Sequence, residues 1–347
     1  MRDKLLPVII IIIAIALITG GFVYFRQNKN ATKSRLFEGP ITIGTETWPG
    51  YVALYVAESQ GFFRDQGLNV DVKLYKDLSQ LSGDYQAGKM QGRANISLEA
   101  VNESLDGFKQ NIVLAIDYSA GADAIVASKK IVALTDLSGK LVAFEKGTLE
   151  EFFISWALQQ ADLTLSDITA VEANPDEAAQ MLKRGEVDVA VSHEPFLSEL
   201  ASDPDLHILT SSKDAPGLIT DILTFRQDFV ENNPQTVQAI VTAYFQALNF
   251  VKNNPDQAAV ILAKEFKISA SDIERQLQGL KLLDLTDNAT IFAPGNDPQS
   301  LYLQLDKIGR FVAEERNKVE VINTDTMVDP TFINYLVDQN NPGVVTP

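Results

Sequence analysis

Apolar positions along the chain fall into two repeating patterns. Short runs of β-prone residues occur at 41–44, 70–74, 94–97, 112–116, 140–144, 168–172 and 187–191. Between them, apolar residues recur at three- and four-residue spacing. The runs predict strands, and the spaced segments predict helices over 51–60, 79–88, 149–161 and 175–184, the first ended by Gly61. Strands separated by helices of about ten residues indicate βαβ units, hence an α/β fold with a mostly parallel sheet.

The last third changes texture, with long amphipathic helices and few strands. Asx-Pro pairs mark the expected helix starts: Asn233-Pro234, Asn254-Pro255, Asp297-Pro298 and Asp329-Pro330, with Asn174-Pro175 earlier. Such a pair places an acceptor side chain at the N-cap and a preset φ at the first helical position. After Pro234, Val237, Ile240, Val241, Tyr244, Phe245, Leu248 and Val251 form a stripe that predicts a core-facing helix.

The opening segment follows neither pattern. Positions 5–25 carry no charge, and 21 residues at about 1.5 Å each make roughly 31 Å of helix, the thickness of a hydrocarbon core. Residues 1–26 therefore read as an N-terminal membrane anchor or signal, a single transmembrane helix followed by a polar linker over 27–40. Basic residues on both sides of the span (Arg2 and Lys4 before it; Arg26, Lys29, Lys33 and Arg35 after it) lean by themselves towards a cytoplasmic body. The character of the body outweighs that leaning.

Charge narrows the partners. The first 35 residues hold six basic residues and one acid. That leaves 23 of the 29 basic and 45 of the 46 acidic residues to the remainder, a net of −22. So acidic a body, without a basic stripe, repels a phosphate backbone and excludes nucleic acid as a partner. The chain has no cysteine, which removes disulfides, thiolate chemistry and a lipid-linked cysteine.

Sequence motifs for acyl transfer, nucleotide binding and dinucleotide binding are absent. The two histidines, His193 and His207, are too few for a histidine-rich metal site, and no cofactor is expected. His193 follows directly on the strand 187–191, and in α/β sheets ligands sit against the loops beyond the strands' carboxyl ends. That rule selects the loops 46–51, 76–82, 97–100, 118–123, 145–151 and 192–196. Trp48, Tyr51 and Tyr118 offer stacking faces in them, and the helix starts at 51–53 and 148–150 offer N–H groups to an anion. The same stretches and the 220s hold Glu46, Glu99, Asp123, Glu145, Glu151, Glu194 and Asp221. Convergence of two or more of these acids would favour an amine or a neutral, donor-rich molecule.

Residues 45–63, Thr-Glu-Thr-Trp-Pro-Gly-Tyr-Val-Ala-Leu-Tyr-Val-Ala-Glu-Ser-Gln-Gly-Phe-Phe, followed by Asp-Gln-Gly-Leu-Asn-Val at 65–70, carry a resemblance. Together with the segments 117–126, 136–140 and 182–190 and the pairs Glu194-Pro195 and Asn233-Pro234, they resemble solute-binding proteins of ABC importers. The group is the one that binds taurine, aliphatic sulfonates, nitrate and thiamine pyrimidines, and the likeness spans roughly residues 41–340. It implies a type II periplasmic-binding-protein fold, with lobe 1 at 41–124 and 222–347, lobe 2 at 125–221, and crossing strands near 121–126 and 220–225. Function would be capture of a small nitrogen or sulfur compound by hinge closure at the extracytoplasmic face of the membrane. Delivery would be to the transmembrane subunits of an ABC permease, by a monomer that is not an enzyme. A ligand-sensing module acting through a separate signalling partner is the alternative.

Carried over to this chain, the ligand loops would supply Trp48, Pro49, Gly50, Tyr51, Ser79, Ser97, Glu99, Tyr118, Ser119, Lys146, Thr148, His193, Glu194 and Asp221. Two departures point away from sulfonate and nitrate. His193 stands before the Glu-Pro pair where sulfonate binders often present Trp, and the loop 145–148 is more acidic than a bare oxyanion calls for.

Overall fold

The structure is a computed structural model that describes residues 36–295, 297, 299–316 and 323–340. The expected anchor over 1–26 and residues 27–35 of the expected linker lie outside these. Among the described residues no helix is long and apolar enough to cross a membrane. Every element below belongs to one unit, Glu38–Pro347.

Eleven strands are described: β1 (Ile41–Thr45), β2 (Val70–Leu74), β3 (Gly92–Ile96), β4 (Gln110–Ser119), β5 (Asp123–Ser128), β6 (Leu141–Phe144), β7 (Thr169–Glu172), β8 (Val189–His193), β9 (Leu206–Ser211), β10 (Thr220–Arg226) and β11 (Leu280–Leu282). They form two sheets, ordered β11-β4-β10-β3-β1-β2 and β7-β6-β8-β5-β9. This is the α/β periplasmic-binding-protein arrangement. The chain passes from the first sheet to the second between Ser119 and Asp123, and back between Ser211 and Thr220.

The expected mostly parallel sheet is corrected. β1 pairs with β2 and β3 in parallel, as β6 does with β7 and β8. β10, however, runs antiparallel to β3 and β4, β11 runs antiparallel to β4, and β5 runs antiparallel to β8 and β9. The reason lies in connectivity: β5 and β10 each arrive from the other sheet, so no βαβ crossover sets their direction.

Both faces of the second sheet are covered, which explains its unbroken apolar strands. Ile125, Val189 and Val191 pack with Phe153, Ile154 and Leu158 on one face. Ala124, Val126 and Ala190 pack with Ala178, Leu182 and Leu197 on the other. In the first sheet, the helix Val52–Gln60 buries Val52 to Ala57 without a break because it lies against the helix Pro234–Asn253. The latter buries all seven positions of its expected stripe.

The Asx-Pro starts divide. Asn174 caps as expected, accepting from Glu177 N at 2.9 Å. Asn233 and Asn254 instead turn their Nδ2 back to Phe229 O at 3.2 Å and Phe250 O at 3.1 Å, tying each helix to the one before it. Each of these carbonyls also accepts the backbone N–H of the same Asn, at 2.9 Å for Phe229 O and 2.8 Å for Phe250 O, so main chain and side chain converge on one acceptor at the end of the preceding helix. Asp329 accepts from Thr331 N at 3.1 Å. Pro298 lies outside the described residues, and the helix that follows begins at Leu301, after Ser300.

Candidate functional site

Between the two sheets lies a cavity of about 220 Å³. Its walls come from the carboxyl ends of β1, β3, β6 and β8 and from the first residues of β5 and β10. Because β5 and β10 run antiparallel to their neighbours, they begin where those strands end.

The first wall follows β1. Glu46, Thr47 and Trp48 leave the sheet, and Pro49 opens a single 3₁₀ turn (Pro49–Tyr51) with its fixed φ. Trp48 is 8% exposed and lines the cavity, while its Nε1 donates to both Asp117 carboxylate oxygens at 3.3 Å. Gly50 is required by this approach, since a Cβ there would stand 1.9 Å from Asp117 Oδ2. Tyr51 is fully buried and donates its hydroxyl to Asp221 Oδ1 at 2.6 Å.

The second wall is the start of the helix Ser97–Leu105 after β3, which brings in Ile96, Leu98, Glu99 and Asn102. Glu99 is ion-paired with Arg93, a buried guanidinium that also holds Glu103 at 2.6 Å.

The third wall belongs to the second sheet. Glu145 and Thr148 lead into the helix Leu149–Gln159, and Glu150 lies in its first turn. Thr148 Oγ1 donates to Glu150 Oε2 at 2.6 Å, and Gly147 N donates to Glu151 Oε2 at 2.6 Å. The helix start that the sequence offered to an anion is thus furnished with the chain's own carboxylates. His193 places Nε2 3.6 Å from Glu150 Oε1, donates Nδ1–H to Glu194 O at 2.7 Å, and presents its ring to Trp48 with centroids 6.4 Å apart.

Six acids therefore line one cavity: Glu46, Glu99, Asp123, Glu145, Glu150 and Asp221. Desolvation raises Glu46 to about 7, with Glu99 adding to the rise, and desolvation raises Asp123 to about 6. Behind Trp48, burial lifts Asp117 to about 8, and burial followed by the Asp117 charge drives Asp221 well above the usual carboxylate range. Burial also raises Glu99, against the pull of Arg93. Burial alone would hold His193 down, but Glu150 and Asp123 outweigh it and favour the imidazolium. Among the described residues no three His, Asp or Glu side chains converge closely enough to hold a metal ion.

Of the residues selected from the sequence, Trp48, Glu99, Thr148, His193 and Asp221 line the cavity, and Pro49, Gly50 and Tyr51 back its first wall. The others stand off it. Ser79 and Lys146 are exposed, Ser97 is buried at its helix start, and Ser119 bonds Ser212 Oγ at 2.6 Å. Tyr118 lies beneath Lys281, whose Nζ is 5.4 Å from the ring centroid. Glu194 is spent on Ser198, whose Oγ donates to it at 2.7 Å. Sequence reasoning missed Asp117, Arg93 and the carboxylate of Glu150. Asp117 carried a signal, as an acid inside the otherwise apolar run 112–118.

Comparison with known proteins bears on this geometry. The family model described as NMT1/THI5 like matches residues 48–258, more than half of the chain, from Trp48 through both sets of cavity walls. The chain belongs to the NMT1/THI5 like family. A Brucella abortus (strain 2308) protein provisionally named a binding protein is 22% identical to this chain over 254 residues, 67% of this chain and 76% of that protein. The periplasmic aliphatic sulphonate binding protein SsuA of Escherichia coli superposes with a TM-score of 0.72 at 16% identity, over 86% of this chain and all of that one. The desulfurization enzyme DSZB has the same fold, with a TM-score of 0.62 at 17% identity, over 87% of this chain and all of that one.

Proposed function

We propose that this member of the NMT1/THI5 like family is an extracytoplasmic solute-binding protein. It takes up a small organic nitrogen or sulfur compound and hands it to an ABC permease, without making or breaking a bond. The observation that carries the reading is that the cavity is shared between two sheets linked by only two crossings. A ligand touching Trp48 and Glu99 on one side and Thr148 and His193 on the other gains most when the sides approach, so it biases an opening–closing equilibrium. In this reading residues 41–124 and 222–347 form one lobe, residues 125–221 form the other, and β5 and β10 begin at the hinge. The uncharged segment 5–25 tethers the protein to the outer face of the membrane. A cavity of about 220 Å³ is smaller than the roughly 300–1,000 Å³ of pockets for drug-sized ligands, which favours a metabolite.

The test is a thermal-shift screen with taurine, alkyl sulfonates, nitrate, bicarbonate, aminopyrimidines, amino acids and polyamines, with small-angle scattering on every hit. A true ligand at a hundredfold excess over Kd adds about 2.7 kcal/mol of stability and lowers the radius of gyration. Stabilisation without compaction by any solute sinks capture by closure.

A further inference from the structure

The buried acceptors in the cavity are unequally satisfied. Glu99 is paired with Arg93, Glu150 with Thr148 and His193, and Asp117 with Trp48. Asp123 and Asp221 are different. Both line the cavity, at 4% and 0% exposure, and in each the Oδ2 atom is buried without a hydrogen-bond partner. They are the first residues of the two strands that enter from the opposite sheet, save that Thr220 precedes Asp221. A buried carboxylate oxygen without a donor carries a desolvation cost that a ligand N–H can remove.

The remaining wall fixes the ligand's character. Leu78, Ile96, Leu98, Leu149 and Ile219 supply an apolar lining, and Trp48 supplies an aromatic one. A bare inorganic cation would gain nothing from that surface, and an anion would face six acids, of which Glu46, Asp123 and Asp221 would have to stay protonated beside it. His193 does not reverse this balance, because Glu150 stands against its Nε2.

We infer that the site takes a small organic cation, a protonated amine or amidine, whose N–H groups bond to Asp123 and Asp221 while its apolar part packs on Trp48. This deepens the solute-capture reading and rests on it. About Asp123 stand His193, Ser119, Glu150 and Glu194, and about Asp221 stand Asp117, Tyr51, Glu46 and Asp123; Ser119 and Tyr51 each hydrogen-bond their aspartate, which still leaves both Oδ2 atoms without a partner. None of these is a lysine or arginine that would supply the missing donors from within.

A charge series on one apolar body separates the possibilities. The full chain is titrated calorimetrically with benzylamine, benzamidine, benzyl alcohol and benzenesulfonate. At least one cation should bind tenfold or more tightly than the alcohol, about 1.4 kcal/mol, and the sulfonate should bind most weakly. Asp123→Asn should weaken the cation at least tenfold while leaving the weaker alcohol affinity within twofold. Glu46→Gln, on a side chain that is only half-buried, is a second variant that should weaken the cation alone if Asp123→Asn does not fold. Sulfonate binding above cation binding, failure of both cations to bind, or cation affinity indifferent to both variants overturns the assignment. A sulfonate that binds with compaction would do so while leaving solute capture standing, whereas absence of compaction with every solute removes capture itself.

Discussion

Trp48 has two loyalties: its ring faces the cavity, and its Nε1 is tied to Asp117. Trp48→Ala should therefore weaken ligand binding tenfold or more while the chain stays folded, checked by calorimetry beside circular dichroism. Unchanged affinity would remove the ring from the binding surface. Gly50 illustrates the opposite kind of residue, one that touches no ligand yet sets where Trp48 and Tyr51 stand. Gly50→Ala forces a methyl group against the Asp117 carboxylate, an overpacking that costs about 1–3 kcal/mol and should appear as a lower urea midpoint at an unchanged slope. Gly and Trp-Pro at these positions were legible in the sequence as a turn beside a candidate ligand. The identity of the buried partner, Asp117, was not, because a residue 67 positions away gives no local sign of it.

At the scale of elements, the edge of the first sheet shows how one side chain substitutes for a strand. β11 pairs with β4 over only three residues, and Leu283 N then bonds Ile116 O at 2.9 Å. Beyond that point Asn288 continues the ladder, accepting from Ala115 N at 2.8 Å and donating to Ala115 O at 2.9 Å. Asn288→Ala leaves both buried backbone groups unpaired and should cost about 1–3 kcal/mol. The exposed Asn253, which donates only to Asn249 O within its own helix, should change stability by less than about 0.5 kcal/mol when replaced by alanine. Equal effects in denaturant melts would refute the ladder role. The long helices were legible from their periodicity, as the stripe after Pro234 shows. β11 was not, because three residues hold too few apolar positions for alternation to register.

For the whole molecule, the concentration of acids at one cavity makes stability depend on pH. Burial raises Asp123 to about 6, Glu46 to about 7 and Asp117 to about 8. The same carboxyls in an unfolded chain titrate near 4. Between pH 5 and 8 the folded chain thus holds protons that the unfolded chain has lost, so stability falls as pH rises through that window. His193 acts in the same direction, since its folded-state pKa is raised by Glu150 and Asp123 against burial, and its contribution fades as it deprotonates. Asp284, held down to about 2 by Lys252 and by backbone N–H groups, loses its contribution only in more acid solution. The melting temperature of the ligand-free protein should therefore decline from pH 5 to pH 8, measured calorimetrically at constant ionic strength. A flat or rising profile would contradict the burial of these acids.

What the sequence by itself determined is whatever depends on neighbours a few residues apart. The strands at 41–44, 70–74 and 140–144, the helix stop at Gly61 and the stripe after Pro234 are set by side-chain alternation, backbone freedom and the 3.6-residue period. The tertiary structure decided everything that depends on chain crossings. The antiparallel entry of β5 and β10 follows from where each strand comes from, and Asn233 and Asn254 spend their side-chain amides on the preceding helix, on the carbonyls that their own backbone N–H groups already reach. The meeting of Glu46, Glu99, Asp123, Glu150, His193 and Asp221 spans 175 positions of sequence. Acids at such separations carry no local record of one another, and only the pairing of strands brings their charges into one desolvated volume.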